Sequence, residues 1–207
     1  MDTNYLHCLA WSRAFRDAGE WAPMNAIHRL IGMGGDQLVP ELLGHDSPAA
    51  TAARPVRYAE LVSEVKAFPG AGELLHRIHD LGPAVVLATS APAAELEELR
   101  KVLDADEAID GQTTADEVSN AKFDPEVFLT AMRNASIDPR RALAVGDSVW
   151  DIRAARSAGI ACITVETGGF SQHELNEAGA VRVYRDVEEL LSQLLTSPIA
   201  SLLTTFI

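Results

Sequence analysis

Two aspartates stand four residues apart, directly after a short apolar run. The run is "LAVG" at 143–146, and the aspartates are Asp147 and Asp151. A short apolar run is typical of a buried strand, and Mg²⁺ prefers one or two carboxylates together with waters and phosphate oxygens. The pair therefore predicts a metal site at a strand end. The segment "SVWD" also fits a capping box, in which Ser148 and Asp151 only hold the start of a helix.

Groups that suit a phosphoryl group occur at two further places. Thr89 and Ser90 follow the apolar run "VVLA", and Lys122 precedes "DPEVF". The Thr89 hydroxyl and the Ser90 backbone N–H can donate hydrogen bonds to phosphate oxygens, while Lys122 offsets their charge. Each has a plainer explanation, because Thr89 and Ser90 also suit the start of a turn and Lys122 a solvated loop. Their succession along strand ends favours a phosphoryl group held beside the metal.

The elements that would position these residues alternate along most of the chain. The predicted strands are 83–90, 106–111, 141–147, 161–167 and 181–186. The predicted helices between and after them are 71–82, 93–103, 124–135, 148–159 and 187–195. This alternation predicts an α/β fold with a Rossmann-like, doubly wound parallel sheet covered by helices on both faces. Ligands of such sheets bind at the carboxyl ends of the strands.

The first third of the chain has only helical patterns. Its predicted helices are 3–19, 22–32, 36–44 and 54–67. The change of pattern at "FPGAG" predicts a small all-helical domain, 1–67, and a core domain, 68–207. In the helical domain, Arg29 and the "GMGG" turn with Gly34 and Gly35 are candidate substrate contacts, because arginine pairs with anions and glycine permits close approach. The alternative is that "GMGG" only joins two helices.

Composition narrows the class of protein. The chain has 207 residues with 30 acidic and 17 basic side chains, and its net charge of -13 argues against nucleic acid as a partner. No apolar run approaches the ~18 residues of a membrane span, and no leader pattern begins the chain. These features predict a soluble, cytoplasmic protein with Cys8 and Cys162 as buried apolar residues. We expect a monomer or a homodimer, and the sequence does not decide between the two. The apolar tail "SPIASLLTTFI" either packs on the core or marks a dimer contact.

At these residues the chain resembles the haloacid dehalogenase superfamily, in the branch with a helical cap that includes phosphoglycolate phosphatase and β-phosphoglucomutase. The segments "LATS", "NAKFDPEVF" and "VGDSVWD" resemble its second, third and fourth motifs, and "FPGAGELL" resembles the hinge between cap and core. The resemblance implies that Thr89 binds phosphate, that Lys122 is the motif lysine, and that Asp147 ligates Mg²⁺ with Asp151 beside it. It implies a phosphatase acting on a small phosphorylated metabolite.

The first motif of that family, Asp-x-Asp-Gly-Thr, has no counterpart in this chain. The chain opens "MDTNYLHCLAW", and Met1 stands where the family has a valine. In the family this motif ends the first, central strand and supplies the nucleophilic aspartate, which forms an aspartyl-phosphate, and the acid/base aspartate. Either the strand lies upstream of Met1, behind a GTG codon taken as a start, or the chain is a true truncation. Losing four or five buried aliphatic side chains at ~1.5–3 kcal/mol each, against a net stability of ~5–15 kcal/mol, favours the first explanation.

The resemblance leaves alternatives to the phosphatase. One is a catalytically dead protein of the same fold that binds phosphate, Mg²⁺ or a partner chain. Another is a sugar-phosphate mutase. The dehalogenase reaction itself is disfavoured because it uses no metal, whereas this chain keeps the acidic fourth motif. The substrate stays open among a sugar phosphate, phosphoglycolate and a nucleotide.

Overall fold

The structure, a computed structural model, describes residues 1–115 and 125–203. The chain forms two compact units, Met1–Lys66 and Ala67–Ile207. The first unit is built of helices, and the second combines parallel strands with helices. The predicted change from an all-helical part to an α/β part is therefore present in the structure.

Four α-helices pack around buried apolar side chains in the first unit. They are α1 (Asn4–Asp17), α2 (Met24–Leu30), α3 (Gly35–Leu43) and α4 (Pro48–Ala59). Trp11 and Phe15 of α1 pack with Ile27 of α2 and Leu38 of α3, and all four side chains are buried. Burial of such side chains stabilises the unit by about 1.5–3 kcal/mol each.

The start of α4 differs from the prediction. The sequence pattern predicts a helix over 54–67, whereas α4 covers Pro48–Ala59. The helix begins earlier because the Ser47 hydroxyl accepts a hydrogen bond from the Ala50 N–H at 3.4 Å, and a proline follows the cap directly. The predicted bounds were therefore wrong at both ends of this helix.

The strands of the second unit form two parallel sheets. The first sheet pairs β1 (Val86–Leu87) with β2 (Gly111–Gln112), and the second has the order β3 (Leu143–Gly146), β4 (Ala161–Val165), β5 (Arg182–Tyr184). Each of these pairings is parallel. The predicted parallel α/β arrangement is thereby confirmed, although the strands are shorter than the patterns suggested.

Helices connect and cover these strands. They are α5 (Ala71–Asp80), α6 (Ala93–Leu103), α7 (Glu126–Asn134), α8 (Val149–Ser157), α9 (Gln172–Ala178), α10 (Val187–Ser192) and α11 (Ala200–Leu203). Among the described residues, no helix combines the length and the apolar character that crossing a bilayer requires.

The central strand β4 shows that both faces of its sheet are covered. Ile163 and Val165 belong to one apolar cluster, which includes Leu74 of α5 and Leu190 of α10. Cys162, whose side chain points to the opposite face because neighbouring strand residues alternate, belongs to another apolar cluster that contains residues of α8 and α9. Helices on both faces are the mark of a doubly wound sheet.

The two sheets leave strand edges without a partner strand among residues 1–115 and 125–203. β3 pairs with β4 on one side only, and β1 pairs with β2 on one side only. Val145 in the middle of β3 is 47% exposed, although a valine in a parallel strand is normally buried. Within the described ranges, β1 and β3 therefore each have an edge without a partner strand, and β3 carries an exposed valine.

Two further segments differ from the sequence patterns. The predicted strand 106–111 is a short 3₁₀ turn, Asp106–Ala108, followed by β2. Helix α9 was not predicted, because its apolar stripe is short. The apolar tail packs on the core through Ile199, which lies in the same cluster as β4, while residues 204–207 lie outside the described part.

Candidate active site

The turn that follows β3 joins Asp147 and Asp151 in one hydrogen-bonded unit. The Asp151 Oδ2 accepts hydrogen bonds from the Asp147 N–H at 3.2 Å, the Ser148 N–H at 3.1 Å and the Ser148 hydroxyl at 2.7 Å. The Asp151 N–H in turn donates to the Ser148 Oγ at 3.3 Å, which completes a capping box at the start of α8. The capping interpretation is therefore correct, and the same bonds fix the backbone of Asp147.

Two glycines allow this turn to close. A Cβ built on Gly146 would lie 2.5 Å from the Asp151 Cβ and 2.9 Å from its Oδ2. A Cβ on Gly168, in the loop after β4, would overlap the Asp147 carbonyl oxygen and lie 2.8 Å from the Asp147 Cγ. Side chains do not approach this closely, so both positions require glycine. Gly168 was missed from the sequence, although the "GG" pair directly after the predicted strand 161–167 was a signal.

Cys162 of β4 lies in the electric field of the same turn. Burial, and then the negative charge of Asp151, raise the pKa of the Cys162 thiol to about 12. The thiol therefore stays protonated at neutral pH and is a poor nucleophile. Cys8 in the first unit is also buried, and burial raises the pKa of its thiol. Both cysteines are buried, as the sequence analysis predicted.

Thr89 lies just beyond the carboxyl end of β1. Its hydroxyl accepts a hydrogen bond from the Ala91 N–H at 3.0 Å, so the turn interpretation of this residue is also correct. A hydroxyl has one donor and two acceptor positions, so the Thr89 O–H proton can still be donated to a phosphate oxygen. Ser90 follows in the same turn and is half-buried.

Thr113 is a second residue that the sequence analysis missed. It follows β2 directly, is fully buried, and bonds through its hydroxyl to the backbone of Thr89. The signal was a hydroxyl residue after a strand, as at Thr89. It was overlooked because the predicted strand 106–111 ended too early.

The remaining candidates lie elsewhere. Lys122 lies outside the described residues. In the first unit, Arg29 lies in the last turn of α2, Gly34 is the N-cap of α3 and Gly35 is its first residue. A Cβ on Gly35 would lie 3.0 Å from the Trp11 ring, so packing within this unit already accounts for that glycine. The "GMGG" turn does join two helices; a role in substrate binding stays a prediction.

The structure thus describes two halves of the candidate site. Asp147 and Asp151 share one turn after β3, and Thr89 and Ser90 share one turn after β1. The two strands belong to different sheets, β1 to the two-stranded sheet and β3 to the three-stranded one.

The donor set fits Mg²⁺. No group of three or more His, Cys, Asp or Glu side chains in the described residues forms a complete metal-ligand set. Mg²⁺ needs only one or two protein carboxylates, because it keeps waters and binds phosphate oxygens. Asp147 is the first candidate ligand. The Asp151 Oδ2 already accepts three hydrogen bonds, so Asp151 acts on Asp147, and direct ligation by its other oxygen stays a prediction.

Comparisons with known proteins give the family. The model of haloacid dehalogenase-like hydrolases matches residues 3–159. Protein CbbY of Cereibacter sphaeroides is 30% identical over 96% of this chain and 94% of its own length. Validoxylamine A 7'-phosphate phosphatase of Streptomyces hygroscopicus subsp. limoneus is 31% identical over 76% of each chain. A hydrolase structure from Pseudomonas syringae superposes with a TM-score of 0.86 at 31% identity, covering 93% of this chain and 92% of that one. The chain belongs to the haloacid dehalogenase-like hydrolase family.

Proposed function

We propose that the complete protein is an Mg²⁺-dependent phosphatase that hydrolyses a small phosphomonoester. The observation that carries the proposal is the turn after β3, where hydrogen bonds to Asp151 and the close approach of Gly168 hold Asp147. A relative that is named as a phosphatase of a 7'-phosphate supports the reaction class. Domains 1–67 and 68–207, a cytoplasmic location and a monomer or homodimer stay predictions.

In this proposal, each candidate residue of this chain would have a distinct role. Asp147 would hold Mg²⁺, with Asp151 keeping the backbone of Asp147 in place. When bound, Mg²⁺ supplies positive charge that offsets the charge of the phosphoryl oxygens. Thr89 would donate its hydroxyl, and Ser90 its N–H, to phosphate oxygens, while Lys122 would offset further negative charge. Arg29 and the glycine turn at 32–35 are the proposed contacts to the rest of the substrate.

The nucleophile belongs to a further strand in this proposal. We place an aspartate nucleophile and an acid/base aspartate upstream of Met1, on a strand between β1 and β3. The unpaired edges of these strands and the exposure of Val145 support it, because a strand inserted there would pair both edges and cover the valine. The carboxyl end of that strand would lie between Thr89 and Asp147.

A catalytically inactive binding protein is the second candidate. It is favoured by one observation, the lack of Asp-x-Asp-Gly-Thr in the 207 residues. The two candidates differ in the mature protein, so intact mass and sequencing of the N-terminal peptide from the native source separate them. A product that truly begins at Met1 would support the binding protein.

The phosphatase proposal predicts that Asp147→Asn abolishes turnover. With p-nitrophenyl phosphate and Mg²⁺, we expect the complete protein to be active and the variant to lose at least about a hundredfold, because a metal contributes several kcal/mol to charge stabilisation. Asp138→Asn is the matched control, since Asp138 lies before β3 and bonds to Arg140. Mg²⁺-dependent turnover that survives Asp147→Asn would contradict the assignment.

A further inference from the structure

The segments after β1 and β2 stay paired beyond the strands themselves. The Thr113 N–H donates to the Leu87 carbonyl oxygen at 2.9 Å, and the Ala115 N–H donates to the Ala91 carbonyl oxygen at 3.0 Å. The chain around Thr89 is therefore held between two backbone hydrogen bonds from the second segment. This pairing places Thr113 directly beside Thr89.

At Thr89, hydrogen bonds to a side chain replace the backbone hydrogen bonds of the ladder. The Thr89 N–H donates to the Thr113 Oγ1 at 2.9 Å, and the Thr113 hydroxyl donates to the Thr89 carbonyl oxygen at 2.8 Å. In a regular parallel ladder, the Thr89 N–H would bond to the backbone carbonyl of Thr113. The Thr113 hydroxyl thus satisfies both backbone groups of Thr89, while the chain leaves the strand and turns.

The geometry points to Thr113 as the positioning residue of Thr89, and this inference rests on the proposed phosphate role of Thr89. Thr113 is 0% exposed, so it would not contact substrate itself. Its two hydrogen bonds fix the backbone of Thr89, and the Ala91 N–H fixes the acceptor side of the Thr89 hydroxyl. Together they fix the backbone of Thr89 and one acceptor position of its hydroxyl, and the hydroxyl proton stays available for a phosphate oxygen.

The test compares Thr113→Val, which keeps the shape but loses the hydroxyl, with Thr113→Ser, which keeps it. In the complete protein we expect Thr113→Val to raise the inhibition constant of inorganic phosphate about tenfold, because two hydrogen bonds of modest net strength are lost. We expect kcat/KM for p-nitrophenyl phosphate to fall by a similar factor, and hydrogen exchange at the Thr89 amide to accelerate. Thr113→Ser should stay within about twofold of the wild type.

Two further variants separate the possible outcomes. Thr130→Val is the matched control, because Thr130 is another buried threonine that accepts a hydrogen bond, from Arg133, and its loss should change stability alone. If Thr89→Ala leaves the phosphate constant unchanged, the proposed role of Thr89 fails and this inference with it. If Thr89→Ala weakens the binding of inorganic phosphate but folded Thr113→Val does not, only the positioning role of Thr113 is overturned. Thr113→Ala replaces the valine variant, with the same expectations, should that variant not fold.

Discussion

The loop glycine Gly168 acts at the scale of single atoms. It has no side chain, yet the position of its Cα decides where the backbone of Asp147 can lie, because any Cβ there would overlap the Asp147 carbonyl oxygen. The contact joins residues from two different strand ends. Asp147, the proposed cation ligand, is thereby held from both its own turn and the neighbouring loop.

We expect Gly168→Ala to displace Asp147 and to destabilise the fold. Overpacking a tight contact costs about 1–3 kcal/mol, and a displaced metal ligand should lower kcat/KM by about tenfold or more. Chemical denaturation and turnover with Mg²⁺ measure the two effects. Gly111→Ala is the control, since a Cβ there would meet only ordinary contacts at 3.8 Å and beyond. Full activity in Gly168→Ala would show that the Asp147 position tolerates this change.

The spacing of Asp147 and Asp151 supported two interpretations from sequence, and the capping interpretation proves correct without excluding the other. Local spacing is enough to identify such a turn, because its hydrogen bonds join residues within four positions. The roles of Gly168 and Thr113 depend on contacts between separate segments, more than twenty residues away from Asp147 and Thr89 respectively along the sequence. Local sequence patterns therefore do not predict contacts between residues this far apart in the chain.

The capping box at the start of α8 also positions residues of the candidate site. The Ser148 hydroxyl both donates to and accepts from Asp151, so one side chain starts the helix and orients the carboxylate that holds Asp147. A second capping box, Ser171 with Glu174, starts α9 in the same manner. The chain therefore contains a matched pair of caps, one at the candidate site and one at α9, away from the candidate site residues.

We expect Ser148→Ala and Ser171→Ala to lose similar amounts of stability but to differ in catalytic activity. Removing a serine cap costs about 0.5–2 kcal/mol in either helix. Only Ser148→Ala releases a hydrogen bond from the Asp151 carboxylate, so only that variant should lower kcat/KM and weaken the response to Mg²⁺. Thermal unfolding and Mg²⁺ titration of turnover compare them. If the two variants lose the same stability and keep the same activity, the Ser148 cap has only a structural role.

At the scale of elements, the alternation of helix and strand was predictable, and helix bounds were less so. Long amphipathic segments such as α5 follow from apolar spacing alone. The start of α4 depended on a single hydroxyl, that of Ser47, and a short helix such as α9 has too few turns for a clear period. That β1 and β3 each have an edge unpaired by any described strand is known only from the strand pairing.

At the scale of the whole molecule, each of the two units contains one buried thiol, so the reactivity of each thiol can measure the unfolding of its own unit. Cys8 lies in the core of the first unit and Cys162 in that of the second. Burial raises the pKa of both thiols, that of Cys162 to about 12. A thiol with a raised folded pKa stays protonated in the native state while the unfolded thiol ionises above its ordinary value of about 9.0.

We expect neither thiol to react with a disulfide reagent at neutral pH until its unit unfolds. The sign of the pH effect follows from the raised pKa: the contribution of Cys162 to stability is complete below about pH 9 and is lost between there and about pH 12. Rates of thiol labelling in increasing urea, resolved by mass spectrometry of the two peptides, measure the opening of each unit. Fast labelling of Cys162 under native conditions would contradict its burial.

The turn after β3 has a consequence for the thermodynamics of ligand binding. Three hydrogen bonds to one carboxylate oxygen order Asp147 during folding, before any ligand arrives. The conformational entropy of that segment is then lost once, at folding, and is not lost again at each binding event. In the proposed phosphatase, Asp147 would present the same geometry to each cation and phosphate ester, so discrimination between substrates would depend on parts of the protein other than this turn.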